Sequence, residues 1–379
     1  MLYIIIVVIN LALGLTIGSN RLLGFLSLLG LGWLIASDYV ETNGDYSNYL
    51  IAYNNVSSGV TPFERGYTQL EMLAYNQGLT YAEFRLWFSL ATVIILYIAI
   101  VRFTNNVALF VALFATTTFF TDGTQIRNLM MIAIVILATS FLKKLSVINI
   151  IIFVVFIYLA TQLHSSGYSF FIILLFRVLP YDKLKNVALI FFSFIMLVSL
   201  SLKLFGFGML YNLLVKIFGT LVQRVNFLTK LQSYTNGTNI STILLLWLTI
   251  LFSISISFLI YSMLKKFEIE QITVKSKLLF SGMTVSIIAM PLVVMAPDYS
   301  RIARNATLFL FILIAYYYEL ARNNKKIAKQ LSNYRKKFIV SLLIMLIPFV
   351  YVHNTIWGPT FLNSIPYTIK LKSPYIYNQ

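Results

Sequence analysis

The sequence predicts an all-α polytopic membrane protein of about twelve transmembrane helices, and three observations predict it. Hydrophobic residues make up 59% of the 379 and charged residues 11%, with a mean hydropathy of +0.84; a soluble chain is far more polar. Many apolar runs reach the roughly 17–25 residues that a spanning helix needs. The positive charges punctuate those runs, as membrane topology requires.

The same features narrow the chemistry. The chain has no cysteine, so disulfides and thiolate catalysis are excluded. Two histidines and scattered carboxylates argue against a protein-built transition-metal site. The net charge of +17 does not point to nucleic acid, because it is spent between spans. The first apolar run lacks a basic start and a small-residue cleavage site, so a retained helix is expected rather than a signal peptide.

Taken in order, residues 1–17 and 22–36 form two helices split by Gly18-Ser19-Asn20-Arg21. A large loop over 37–85 follows, rich in acids, Tyr and Asn. Spans are expected at 86–101, 107–120, 129–142, 145–163, 168–179 and 187–205. The segment 206–239 is amphipathic, with Leu210, Leu213, Leu214, Ile217 and Phe218 at helical spacing; it reads as an interfacial helix or as a loop helix packed on the spans. Four more spans fall at 240–264, 278–295, 306–320 and 338–353, and 354–379 is an irregular tail. The whole, 1–379, is a single multispan domain.

Alternating sides along twelve spans places 18 of the 29 Lys and Arg on one side, which the positive-inside rule makes cytoplasmic. Both termini, the loop 37–85, the segment 206–239 and the tail then face outward. Eight of the twelve carboxylates join them there.

Three polar stretches on that outer side open inward-running helices: Gln125-Ile126-Arg127, His164-Ser165-Ser166, and Asp298-Tyr299-Ser300-Arg301-Ile302-Ala303-Arg304. A helix start offers unpaired N–H groups and partial positive charge to an anion. Guanidinium groups bind phosphate oxygens in parallel pairs and never deprotonate. A lone interfacial arginine can simply snorkel to head groups; Arg127, Arg301 and Arg304 together, against the positive-inside bias, favour an anion site. His164 is a candidate base or donor, with Ser165 or Ser166 as helix N-cap. In the loop, Asp45, Glu64 and Arg65 mix with Tyr46, Tyr49 and Tyr67. Carboxylates bind sugar hydroxyls and aromatic faces cover a sugar ring, although the same residue types also make ordinary turns.

The order of these motifs resembles the EpsG family of bacterial exopolysaccharide and capsule polymerases, related in role to Wzy-type O-antigen polymerases. The resemblance rests on Asp45-Tyr46 with Tyr49, Glu64-Arg65-Gly66-Tyr67, Gln125-Ile126-Arg127, His164-Ser165-Ser166 and Tyr299 to Arg304, and spans roughly residues 38–321. One departure is Asn128: the family more often has Gln after the Arg, whereas here Gln precedes it.

The resemblance implies a GT-C-like, lipid-carrier-dependent glycosyltransferase of the bacterial plasma (inner) membrane. It would join repeat units linked to undecaprenyl diphosphate on the outer leaflet, with membrane lipid around it and flippase and chain-length regulator proteins as partners. It implies diphosphate binding by Arg127, Arg301, Arg304, Gln125, Ser165 and Ser166. The base would be His164, Glu64 or Asp45, in that order, and the sugar contacts Tyr46, Tyr49, Arg65, Tyr67 and Asp298. No cofactor is expected, and a divalent metal on the diphosphate is admitted. Competing readings are a lipid-linked sugar flippase or exporter, for which charges near the midplane are expected, a glycan ligase, and a membrane O-acyltransferase with His as base.

Overall fold

The computed structural model describes residues 2–37, 44–59, 62–205, 238–323 and 329, and every regular element among them is helical. Helices α1 (Leu2–Thr16) and α2 (Arg21–Ala36) form the first hairpin. The polar loop supplies α3 (Gly44–Asn54) and α4 (Arg65–Asn76). Next come α5 (Tyr81–Val101), α6 (Val107–Thr117), α7 (Phe119–Thr124) and α8 (Ile126–Phe141). Helix α9 (Val147–Thr161) leads through a 3-10 turn, Ser165–Phe171, into α10 (Ile172–Val178) and α11 (Tyr181–Phe205). After α12 (Ile240–Lys265), α13 (Glu270–Thr284) continues through a 3-10 turn into α14 (Ala289–Met295). A last 3-10 turn, Pro297–Tyr299, opens α15 (Ser300–Asn323).

Helices therefore overlie the places expected for spans one to eleven. The stretches Tyr81–Val101, Ile240–Lys265 and Glu270–Met295 are long and apolar enough to cross a membrane, while α1, α2, α6, α8 and α9 are apolar and shorter. The expected twelfth span at 338–353, the tail 354–379 and all but the last two residues of the amphipathic segment 206–239 lie outside the described residues.

Some boundaries move, for local reasons. Helix α5 starts at Tyr81 rather than 86 because Thr80 and Glu83 form a capping box. The Thr80 hydroxyl accepts the Glu83 N–H at 3.3 Å, and the Glu83 carboxylate accepts the Thr80 N–H at 2.8 Å. Helix α8 starts at Ile126, which puts Arg127 and Asn128 inside its first turn.

Cations close one end of the bundle. The carbonyls left over at helix C-termini need donors. Lys143 Nζ donates to Arg102 O and Lys275 Nζ to Phe103 O (3.2 Å), just past α5. Arg177 Nε reaches Leu142 O at the end of α8 (2.9 Å), Lys277 Nζ reaches Arg177 O on α10 (3.0 Å), and Arg322 reaches Leu15 O on α1 (3.0 Å). The basic residues that read as topological punctuation thus have a second, local task.

Helix α15 is the centre of the core: from Ser300 to Glu319 every residue but Arg301 is buried. Helix α8 packs beside it, and α5 packs on both α2 and α8. At the opposite end from the cation caps, α4 is pressed onto the end of α9. The Tyr67 N–H donates to Gln162 O at 3.2 Å, and a Cβ on Gly66 would stand 2.7 Å from Gln162 Cβ and 3.0 Å from its carbonyl oxygen. Gly66→Ala should therefore push α4 off its seat and cost about 1–3 kcal/mol. A lowered melting temperature of the detergent-solubilised protein is expected; an unchanged one would show that α4 yields freely.

Candidate functional site

The hub of the site is Arg127, in the first turn of α8. Its Nη1 pairs with Glu64 Oε2, and its Nε donates to the Tyr49 hydroxyl at 3.2 Å. The guanidinium lies over the Phe63 ring at 4.0 Å and is flanked by the Tyr49 and Tyr67 rings, each at 5.3 Å. An aromatic cage suits guanidinium because its planar cation is weakly hydrated. Glu64 does double duty: it precedes α4, and its Oε1 accepts the Ser165 N–H at 3.0 Å. One carboxylate thus ties α4, α8 and the turn after α9 together.

At that turn the expected cap is corrected. The N-cap of the 3-10 segment is His164, not Ser165 or Ser166. His164 is extended (φ −155°, ψ 127°), which lets its Nδ1 accept the Ser166 N–H at 3.2 Å and stand 2.8 Å from Ser166 Oγ. Because Nδ1 accepts, a neutral ring carries its proton on Nε2. With Ser165 N–H on Glu64 and Ser166 N–H on His164, this helix start is already satisfied within the protein. The expectation of an open set of N–H groups there does not hold.

His164→Asn keeps a good cap acceptor and removes the imidazole. The protein's activity is expected to fall about 10²-fold with little change in thermal stability. Full activity in that variant would reduce His164 to a cap.

The third stretch divides in two. Arg304 is 2% exposed; its Nε bonds Asp122 Oδ1 at 2.6 Å and its Nη2 bonds Gln125 Oε1 at 2.6 Å. Asp122 is wholly buried on α7. Arg301, one turn earlier, is partly exposed and pairs with Asp298 at 3.3 Å. Deeper in, Asn128 on α8 and Asn305 on α15 exchange amide hydrogen bonds, both 2.8 Å, and both are buried. Ser166 Oγ stands 3.5 Å from Asn128 Oδ1, linking this pair to the His164 turn.

These elements enclose a cavity of about 500 Å³. Of the residues singled out from sequence, Asp45, Tyr49, Gln125, Arg127, His164 and Arg301 line it. They come from segments far apart in the chain, so the fold brings them together. Glu64, Ser165 and Ser166 stand directly behind this wall, bonded to Arg127 or His164. Others lie elsewhere. Tyr46 packs on Tyr81 (5.0 Å) beneath Arg85, Tyr67 is fully buried, Arg65 is exposed, and neither Asp298 nor Arg304 is on the wall.

Asn48 and Asn55, which sequence motifs did not mark, also line the cavity, beside Phe63 and Asn128. A signal for both existed: Asp45, Asn48, Ala52 and Asn55 recur at helical spacing along α3 and just past its end. Asp45 is the one carboxylate among the lining residues, against two arginines and a histidine. No group of three or more His, Asp or Glu gathers to hold a metal among the described residues.

Fold and cavity together define a helical membrane protein with an arginine-bearing polar site at one end of its bundle. The chain belongs to the EpsG family, the family of exopolysaccharide and Wzy-type polymerases, whose model matches residues 2–369. No curated protein and no solved structure matches the chain. Membership suggests a polysaccharide-polymerase-like, glycosyltransferase-like function.

Proposed function

We propose that this protein lengthens a polysaccharide by moving a growing glycan from undecaprenyl diphosphate onto a lipid-linked repeat unit. The reaction takes place on the outer leaflet of the bacterial plasma membrane, in a GT-C-like bundle of about twelve spans with both termini outside. The observation that carries this reading is the cavity itself, where Arg127, Arg301, His164 and Asp45 meet beside aromatic rings.

In the transfer, an acceptor hydroxyl oxygen attacks the anomeric carbon. The bond from that carbon to the phosphate oxygen breaks, and the diphosphate leaves with the electron pair. Arg127 and Arg301 face the developing charge; fixed donors in a water-poor site are worth far more than in water. The hydroxyl proton passes to Asp45. Glu64 is less suited to that task, since its two oxygens serve Arg127 and Ser165. A neutral His164, with its proton on Nε2, is a hydrogen-bond donor rather than a base. Tyr49 and Phe63 offer ring faces to the sugar.

The test is to incubate purified protein with undecaprenyl-diphosphate-linked repeat units. A ladder of longer glycans with stoichiometric release of undecaprenyl diphosphate is expected. Transfer of lipid-linked units across a vesicle bilayer, with neither product, would replace this reading with a flippase.

A further inference from the structure

Glu71 has no place in the site described so far, yet it lies directly behind it. It sits on α4, one turn after Tyr67, and is 0% exposed. Neither of its carboxyl oxygens has a hydrogen-bond partner, and neither does the buried Tyr67 hydroxyl. An ionised carboxylate so placed would be costly, because nothing solvates it. A protonated one is tolerated.

The surroundings fix what this acid can influence. The charge of Arg127 on α8 acts on Glu71, and Glu71 in turn acts on Tyr53 of α3. Tyr49 of α3 packs on Tyr67, with ring centroids 6.0 Å apart. Arg127 already carries one carboxylate, Glu64. If Glu71 is also ionised, two negative charges surround one guanidinium, and an incoming anion meets net repulsion. If Glu71 is neutral, the Arg127–Glu64 pair is balanced and Arg127 can turn part of its charge to a phosphate oxygen.

We propose that Glu71 is a charge-setting positioning residue for Arg127, and that only its protonated form leaves the cavity open to a diphosphate. The inference rests on the diphosphate reading above and goes beyond it by adding a proton-controlled limit on binding. Burial raises the Glu71 pKa to about 8, with the charge of Arg127 opposing the rise. The acid is therefore mostly neutral at pH 7 and mostly charged at pH 9. Of the tyrosines nearby, burial lifts Tyr53 to about 12 and pushes Tyr67 up, so neither titrates in that window.

The experiment measures binding of inorganic diphosphate to the purified full-length protein at pH 7 and pH 9. Wild type, Glu71→Gln and Arg127→Ala are compared. Glu71→Gln keeps the shape and stays neutral. Wild-type affinity is expected to fall about tenfold between the two pH values, while Glu71→Gln holds its pH 7 affinity at pH 9. Arg127→Ala should bind weakly at both. Equal pH dependence in wild type and Glu71→Gln overturns the role of Glu71 and leaves the diphosphate site standing. Absence of wild-type binding at pH 7 overturns the diphosphate site and this inference with it.

Discussion

Arg127→Ala is expected to abolish polymer, with a loss of about 10²–10³ in transfer rate, on the order of 2–4 kcal/mol of barrier. Arg127 combines a place on the cavity wall, an aromatic cage and a charge partner behind it. The diphosphate leaving group needs fixed positive charge, and a caged guanidinium supplies it without reorganising. Arg127→Lys should restore little, because a point charge on a flexible stem cannot reproduce the planar cation stacked on Phe63. Removing the arginine alone also strands Glu64 in a mostly buried place, so a loss could be one of folding. The double change Arg127→Gln with Glu64→Gln removes both charges and separates the two. It should yield folded, inactive protein, read by glycan ladders and by the melting curve. Long chains from the double variant would remove Arg127 from the chemistry.

Arg304→Ala should fail differently: the protein will not accumulate. Its guanidinium and the Asp122 carboxylate are both wholly buried, and the side chains are 1% and 0% exposed. Breaking such a pair from one side leaves an uncompensated charge, at a cost of about 3–5 kcal/mol, which rivals the whole stability of many domains. Replacing both partners together, Arg304→Met with Asp122→Leu, should recover much of the loss, since a well-packed apolar pair avoids burying charge. The measurement is the yield of monodisperse protein after detergent extraction. Arg301→Ala, three residues earlier, should accumulate normally and lose polymer. Normal yield with lost activity in Arg304→Ala would return that residue to the anion site.

The contrast between Arg301 and Arg304 marks how far the sequence reading reaches. Apolar length announced most of the helices, and charge at their starts pointed to Arg127, Arg301 and His164. What spacing could not reveal is which arginine faces a cavity and which faces a partner. That depends on Asp122, whose own helix, α7, is six residues long and carries no periodic signal. Likewise Tyr46 sits between Asp45 and Asn48, which line the cavity, but neighbours along α3 point to different faces. The α5 boundary was missed because Glu83 counted as a loop acid, when its spacing from Thr80 was a capping signal. Glu71 carried no motif at all; only three-dimensional burial singles it out.

The mutual amide pair of Asn128 and Asn305 bears on how this chain can change over generations. Either residue replaced alone leaves one buried amide unmatched, a penalty of about 1–3 kcal/mol, whereas a joint apolar replacement is nearly neutral. Inheritance should therefore treat the two sites as one: helices α8 and α15, which carry Arg127 and Arg301, can drift at this contact only in step. Lineages that exchange one amide for another shape at either position should be found to have answered it at the other.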